Sequence, residues 1–410
     1  MINSINGPQM RKSNICVLLS EIKQNDPLSK RDLQDRTGLS WGAISSITAM
    51  LCEKGYIVPT GKQRTHVGRK PFQLDINPND YFIIGVDLNI AGLCGVIVDV
   101  KGRVVREWIR YLTRHTYDCV MDTLLGLLDE IVETYSHKHI CGIGLAVQGV
   151  VDSEAGISER LPQVQNWKNV PIQKIVEERY GYPALIMHDP DCIMAAEQAF
   201  GTTMLGNADN AILLRIDNGI GMSILIGRAV YTGSNGKAGE LGHISVARDG
   251  AVCVCGKQGC LEEYASGEGL VRRFIEQVNR GRASSVSADE VGLNYQMLAE
   301  AAKQGDPLCV ELFEQMGGYL GYAISLLMNL FNPDLVAMYG SLADQHDLYE
   351  EAMRQEIDRY VYKNIPVKIQ YSGLGKNAAA QGVALAMSDR AILAFADEMI
   401  RGMDDQAEAL

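Results

Sequence analysis

Apolar positions recur at helical spacing near the start of the chain. Ile15, Leu18, Leu19 and Ile22 share one face of a helix expected over residues 11–24, which Asp26-Pro27 stops. Ser29 is a good N-cap for a short second helix through Leu33 to Arg36, and Thr37-Gly38-Leu39 forms a turn. Ser40 caps a third helix, expected over residues 41–54 and ended by Gly55. Residues 56–58 then read as a strand, residues 59–70 as a polar stretch and residues 72–74 as a return strand. From Tyr81 the texture changes to buried strands over residues 81–87, 92–100 and 104–111, a helix over about 117–135 and a strand over 140–147. It returns near Ala211 with strands over 211–216, 221–226 and 228–231 around a Gly-rich turn. Beyond residue 260 the pattern is mainly helical, with one strand over 335–339, and the last twenty residues read as an acidic helix and a frayed tail.

Helix, turn, helix and basic hairpin together read as a winged helix-turn-helix. The polar stretch carries five basic residues, counting His66, and two glycines. The third helix offers short or polar side chains to a groove at Ser40, Trp41, Ala43, Ser45, Ser46 and Thr48, while Ile44, Ile47 and Leu51 face inward. Lys62, Arg64, Arg69 and Lys70 would supply the wing. A structural three-helix subdomain is the alternative. Charge favours the nucleic-acid reading: residues 1–75 carry 11 Lys/Arg against 6 Asp/Glu, and the rest of the chain 27 against 44. A basic head on an acidic body points to a polyanionic partner for the head alone.

The repeated strand texture reads as two related α/β lobes, the pattern of a nucleotide-kinase clamp with a ligand cleft between them. The chain's 410 residues suit two or three domains. A hydrophobic content of 47% with 21% charged residues is that of a soluble globular protein. No apolar run reaches 18 residues, and residues 1–11 lack the apolar core of a signal peptide, so the cytoplasm is the expected compartment, with no membrane partner. Ten cysteines are mostly scattered, but Cys253, Cys255 and Cys260 lie within eight positions, which in a reducing compartment points to a metal. With His243 they make a closed tetrahedral zinc set, one structural Zn2+ per chain; Gly256 and Gly259 let a short loop wrap the ion. Free or core thiols beside an unrelated histidine are the alternative.

The stretch Gly239-Glu-Leu-Gly-His243, followed by Cys253-Val-Cys255-Gly-Lys-Gln-Gly-Cys260-Leu-Glu262, resembles the signature of the ROK family (repressors, open reading frames and kinases). Residues 28–40, LSKRDLQDRTGLS, and Gly68-Arg69-Lys70-Pro71 resemble the DNA-binding head of the repressor branch. The resemblance runs from about residue 11 to about 388. It implies an α/β chain: a winged helix-turn-helix (residues 1–75), then a two-lobed sugar-kinase, actin-like ATPase fold. The expected boundaries are a first lobe over 76–188, a second lobe with the zinc loop over 189–388 whose C-terminal helix returns to the first lobe, and a tail over 389–410.

The resemblance also implies sugar contacts. The kinases place an Asn-Asp pair at a strand end, where this chain has His188-Asp189; the Asp is their catalytic base. Glu240, His243 and Glu262 match the remaining contacts, with His243 serving metal and sugar through different ring nitrogens. Gln163, after Pro162, stands where the kinases carry Asn. Asp189 is expected as an exposed cleft carboxylate, with an N-cap before Pro190 as the alternative. The phosphate loops depart from the kinases. Asp-x-Gly-Gly-Thr is here Asp87-Leu88-Asn89-Ile90-Ala91, and Gly-Thr-Gly-Ile-Gly is Asp217-Asn218-Gly219-Ile220-Gly221. Lost glycines and a carboxylate facing phosphate argue against catalysis. The expectation is therefore a regulator of carbohydrate metabolism, not an enzyme: a repressor that binds double-stranded operator DNA as a homodimer or dimer of dimers and answers to a small sugar-like effector. An ATP-dependent sugar kinase with an accessory DNA-binding domain is the alternative; a regulator controlled by a protein partner is a third reading.

Overall fold

The structure, a computed structural model, describes residues 7–25, 27–62 and 72–408. Three helices open the chain: α1 (Gly7–Gln24), α2 (Lys30–Thr37) and α3 (Trp41–Glu53), with a short strand β1 (Leu28–Ser29) after the first. Strands β2 (Ile57–Lys62) and β3 (Phe72–Ile76) join β1 in a sheet of order β1-β3-β2. Next come β4 (Tyr81–Asn89), β5 (Gly92–Asp99), β6 (Val104–Arg110), α4 (Tyr117–Thr134) and β7 (His139–Val147). A hairpin of β8 (Val150–Asp152) and β9 (Ile157–Arg160) precedes α5 (Ile172–Tyr180), β10 (Ala184–His188) and α6 (Asp189–Phe200). Strands β11 (Ala211–Ile216), β12 (Ile220–Ile226) and β13 (Ala229–Val230) follow. Helices α7 (Glu262–Ala265), α8 (Gly267–Asn279), α9 (Tyr295–Lys303) and α10 (Pro307–Phe331) lead to β14 (Leu335–Tyr339). The chain ends with α11 (Glu350–Tyr360), β15 (Ile369–Tyr371) and α12 (Ala378–Glu408).

The chain forms two compact units. The first comprises Met1–Val147, Pro171–Met187 and Ala380–Leu410. Its head is built as the sequence predicts. Ser29 and Asp32 close a capping box at the start of α2, Gly38 ends that helix in the left-handed region at φ 68°, and the Ser40 hydroxyl accepts from Ala43 N–H at 3.3 Å. The five-stranded sheet has the order β10-β7-β4-β5-β6, with β7 parallel and β5 antiparallel to β4. Helix α12 lies on this sheet at glycines, among them Gly85 and Gly144. A Cβ on Gly85 would collide with the Ala380 carbonyl, and one on Gly144 with Val383. One hydrophobic core runs through head, sheet and α12, including Leu19, Leu51, Ile57, Ile83, Val96, Met387 and Ile392. The ion pairs Lys12–Asp397 and Lys23–Asp389, both 2.6 Å, tie α1 to α12.

The second unit comprises Gln148–Val170 and His188–Ala379. Its sheet has the order β13-β12-β11-β14-β15, antiparallel at β11–β12 and parallel at β11–β14 and β14–β15. Helices α8 to α11 bury their apolar faces against it in one core that includes Phe274, Phe313, Met353 and Tyr349. The expected strand over 228–231 shrinks to two residues, because Gly227 and Arg228 both take positive φ in the turn before it. The short strands β1, β8, β9 and β15 were not expected; none is long enough to show an alternating pattern.

Candidate functional site

On the head, Ser40, Trp41, Ala43, Ser45 and Ser46 lie at the start of α3 and retain at least partial exposure, Trp41 at 52%. Ile44, Ile47 and Leu51 are buried, as expected. Thr48 corrects the expectation. It is 1% exposed, and its hydroxyl donates to the Ile44 carbonyl at 2.7 Å, so it faces the domain interior rather than a groove. The four-residue step from Ile44 to Thr48 puts both on the buried stripe. Lys62 ends β2 opposite Phe72, after a register shift between Thr60 and Lys62. Arg64, Arg69 and Lys70 lie outside the described residues.

In the second unit the loop 239–262 gathers the four expected metal ligands. The donor atoms of His243, Cys253, Cys255 and Cys260 all lie within 4.8 Å of one another. Cys255 Sγ is 3.6 Å from Cys260 Sγ, and Cys253 Sγ is 3.7 Å from His243 Nδ1. A tetrahedral zinc site with its ordinary bond lengths has ligand–ligand edges of roughly 3.5–3.8 Å, which these two edges match. Gly259 makes the wrap possible: its φ is 73°, and a Cβ would collide with the Ala247 carbonyl. Bridges Ser245–Cys260 and Val252–Gln258 hold the loop. Because Nδ1 faces the thiols, Nε2 remains for a second partner.

Glu240 and Glu262 flank this cluster, and both sense His243 electrostatically. Burial raises the Glu262 carboxyl above its ordinary value, opposed by the Ile220 N–H and His243. Ile220 N–H donates to Glu262 Oε2 at 3.1 Å, which fastens Glu262 to the 217–221 loop. Gln163 follows β9 between the buried Leu161 and Val164; its side-chain oxygen is buried and has no hydrogen-bond partner among the described residues.

Asp189 corrects a second expectation. It is 3% exposed and ion-paired with Arg215 of β11, not an open carboxylate. Nor is it an N-cap: it is the first residue of α6, and His188 holds the cap position without a side-chain cap bond. His188 Nε2 lies 3.6 Å from Asp189 Oδ1. Burial, with the Arg215 charge adding, pushes the His188 imidazole down to about 4, so the ring is neutral at pH 7. Arg215 itself was missed. The only signal for it was a charge inside an otherwise apolar strand, Ala-Ile-Leu-Leu-Arg-Ile, which must be paired if buried.

Both phosphate-loop segments are filled by the chain's own groups. Asp217 Oδ1 accepts from Ser341 N–H at 2.9 Å and from the Ser341 hydroxyl at 2.5 Å, and Oδ2 faces Arg215 Nε at 3.4 Å. In the first unit Asn89 Oδ1 accepts from Ala91 N–H at 2.9 Å, and Ile90 is buried. The β4–β5 turn is thus closed by a side chain rather than opened by glycine.

Comparisons agree with this architecture. Residues 83–390 match the model of the ROK family, and residues 17–58 match a winged helix-turn-helix DNA-binding model. The chain is 28% identical to the xylose repressor of Bacillus subtilis over 93% of its own length and 96% of that protein. A crystal structure of a ROK family transcriptional regulator, a homologue of the Escherichia coli MLC protein, superimposes with a TM-score of 0.81 at 28% identity, covering 94% of this chain and 98% of that one. A ROK family glucokinase from Streptomyces griseus, solved with glucose and AMPPNP, gives a TM-score of 0.64 at 28% identity and covers 74% of this chain and 98% of that one. The chain, a winged helix-turn-helix head on a sugar-kinase-like body, belongs to the ROK family.

Proposed function

We propose that this protein is a DNA-binding transcriptional repressor of carbohydrate metabolism, controlled by a sugar-type effector bound in the second unit. One observation carries the reading: the DNA-binding head is not a loose appendage but shares a hydrophobic core with the sheet and with α12 of the kinase-like body. A change in the first unit's sheet or in α12 therefore has a packed route to the head. In this reading Ser40, Trp41, Ala43, Ser45 and Ser46 meet base edges and phosphates, and the wing residues Lys62, Arg64, Arg69 and Lys70 meet the backbone. Gln163, His188, Glu240, His243 and Glu262 meet the effector, with Asp189 held in place behind them. The His/Cys3 group takes one structural zinc, which braces the loop bearing Glu240 and Glu262. The protein acts as a dimer, since a helix-turn-helix reads two half-sites.

The kinase reading finds support in the glucokinase likeness. Against it stand the self-filled phosphate segments and the capture of Asp189 by Arg215. A general base needs a lone pair free to accept a proton. The test is a binding-site selection from random duplexes with the full-length protein, followed by release or enhancement of binding by added sugars. Selection of no sequence over background would overturn the repressor reading.

A further inference from the structure

Arg215 is a buried basic side chain among the acidic groups beside the expected sugar site. It is 9% exposed and serves two carboxylates, Asp189 and Asp217. Its neighbour His188 is neutral. Asp191, two residues along α6, is held by the Ser223 hydroxyl at 2.6 Å. Glu240 and Glu262 add two carboxylates from the adjoining loop. Two lysines, Lys257 and Lys237, oppose the charge of Glu240, and Lys237 is also engaged by Glu159 through contacts of 3.0 and 2.7 Å. Three thiolates against one dication would leave the metal group at a net charge of −1. The surroundings are therefore rich in acceptors and negative overall.

We propose that Arg215 is a specificity-determining residue: by capturing Asp189 it fixes a site that takes an uncharged sugar or polyol and rejects its phosphate ester. The proposal rests on the reading of the second unit as a carbohydrate site. A sugar brings hydroxyl donors, and the site offers the unpartnered Gln163 oxygen and the Glu240 and Glu262 carboxylates to accept them. A phosphate ester needs the reverse: a guanidinium fork, lysines or a row of backbone N–H groups. The guanidinium here already compensates two carboxylates, so a dianion would meet uncompensated negative charge. The ion pair also holds Asp189 at the start of α6, which sets where the neighbouring His188 ring sits.

The test is calorimetry on the full-length, zinc-loaded protein with xylose, glucose and N-acetylglucosamine, and with glucose 6-phosphate and N-acetylglucosamine 6-phosphate. At least one free sugar should bind, and its phosphate ester should bind about tenfold more weakly or worse, the factor expected from one uncompensated like-charge pair at roughly 12 Å and an effective dielectric of about 20. Asp217→Asn, which removes one carboxylate from Arg215 and keeps the shape, should narrow that ratio by about threefold or more. Arg215→Lys keeps the charge but loses the fork, so free-sugar affinity should fall while the ratio persists; thermal melting confirms that each variant is folded. A phosphate ester that binds more tightly than its parent sugar overturns the proposal and leaves the carbohydrate reading standing. So does a ratio unmoved in folded Asp217→Asn. If none of these compounds binds, the carbohydrate reading itself fails and takes the proposal with it.

Discussion

The ring of Tyr56, just after α3, stacks on Phe395 of α12 with centroids 4.3 Å apart and planes 19° from parallel. Tyr81 packs against both rings. Three aromatic residues from head, sheet and C-terminal helix thus meet in one cluster inside the first unit. Phe395 is 9% exposed, so Phe395→Ala should cost about 3–5 kcal/mol of stability, the usual range for a buried aromatic. If this cluster carries the coupling, Phe395→Leu, which keeps the pocket filled, should fold and bind DNA yet respond less to sugar. Melting curves and DNA-binding titrations with and without effector check this. A full sugar response in Phe395→Leu would place the coupling elsewhere.

The head itself should lose DNA through two separable effects. Trp41→Ala and Ser46→Glu change exposed positions on α3, so they should abolish specific binding and leave the melting temperature within about 2 °C. Arg69→Ala should weaken binding to all sequences and lower the salt slope by about 0.9 if one phosphate contact is lost. Mobility-shift titrations at several salt concentrations measure both. An unchanged affinity at every salt concentration would remove Arg69 from the interface. Thr48 gives the contrast: Thr48→Val removes a buried hydroxyl bonded to its own helix, so it should affect stability and not base recognition.

Metal content is the third measurement. Protein purified without added metal should carry about one zinc per chain by elemental analysis. Cys255→Ser should lose it. The proposed role of the metal, to brace the loop with Glu240 and Glu262, predicts that zinc-free protein also loses sugar binding before it loses DNA binding. Metal-free protein of normal stability would count against the site.

The head was legible in the sequence because each boundary has a local cause: Ser29 and Ser40 as caps, Gly38 as a left-handed stop, and an apolar stripe from Ile15 to Ile22. The His/Cys3 cluster was legible because three thiols and an imidazole at short spacing have few uses other than holding a metal. Arg215 was not, because nothing in a strand's own sequence says which charge 26 positions away will meet it. Thr48 was misplaced because polarity was taken to mean exposure; a threonine in a helix can satisfy its hydroxyl on the preceding turn. The assignment of α12 to the first unit depends on Gly85 and Gly144, nearly 300 and 240 residues before the helix positions they face, a pairing that only the fold reveals.

Acid should weaken the second unit through Asp306, which caps α10. Burial opposes its ionisation. Hydrogen bonds from Ser285 N–H, Cys309 N–H and the Ser284 and Ser285 hydroxyls outweigh that and hold the carboxyl well below the usual range. A depressed carboxyl contributes stability above its unfolded value near 3.9 and loses it as the pH falls toward the folded value. Melting temperature should therefore drop steadily below about pH 4. Asp306→Asn, which keeps one acceptor but no charge, should be less stable at pH 7 and show a shallower acid slope. Asp306→Ala should cost about 2 kcal/mol, the upper range for a lost cap. An acid slope identical in Asp306→Asn would assign the effect to other groups.

The last prediction separates regulator from kinase. Incubated with any sugar that it binds, together with ATP and magnesium, the protein should release no ADP above background. Asn89→Gly, Ile90→Gly and Ala91→Thr together restore the residue types of a kinase's first phosphate loop, and turnover should still be absent. Asp217 remains in the second segment with its carboxylate tied to Ser341 and Arg215, where phosphate oxygens would need donors. Adding Asp217→Gly opens that segment but leaves Asp189 bound by Arg215, so the base is still occupied. Only relief of that pair as well should give measurable transfer, and Arg215→Thr in the same background is the variant to make, with folding checked because removing one partner of a buried pair is costly, about 3–5 kcal/mol. Turnover in the four-substitution protein with Arg215 intact would show that the ion pair is no barrier. Clear ADP formation by the unmodified protein would favour the kinase.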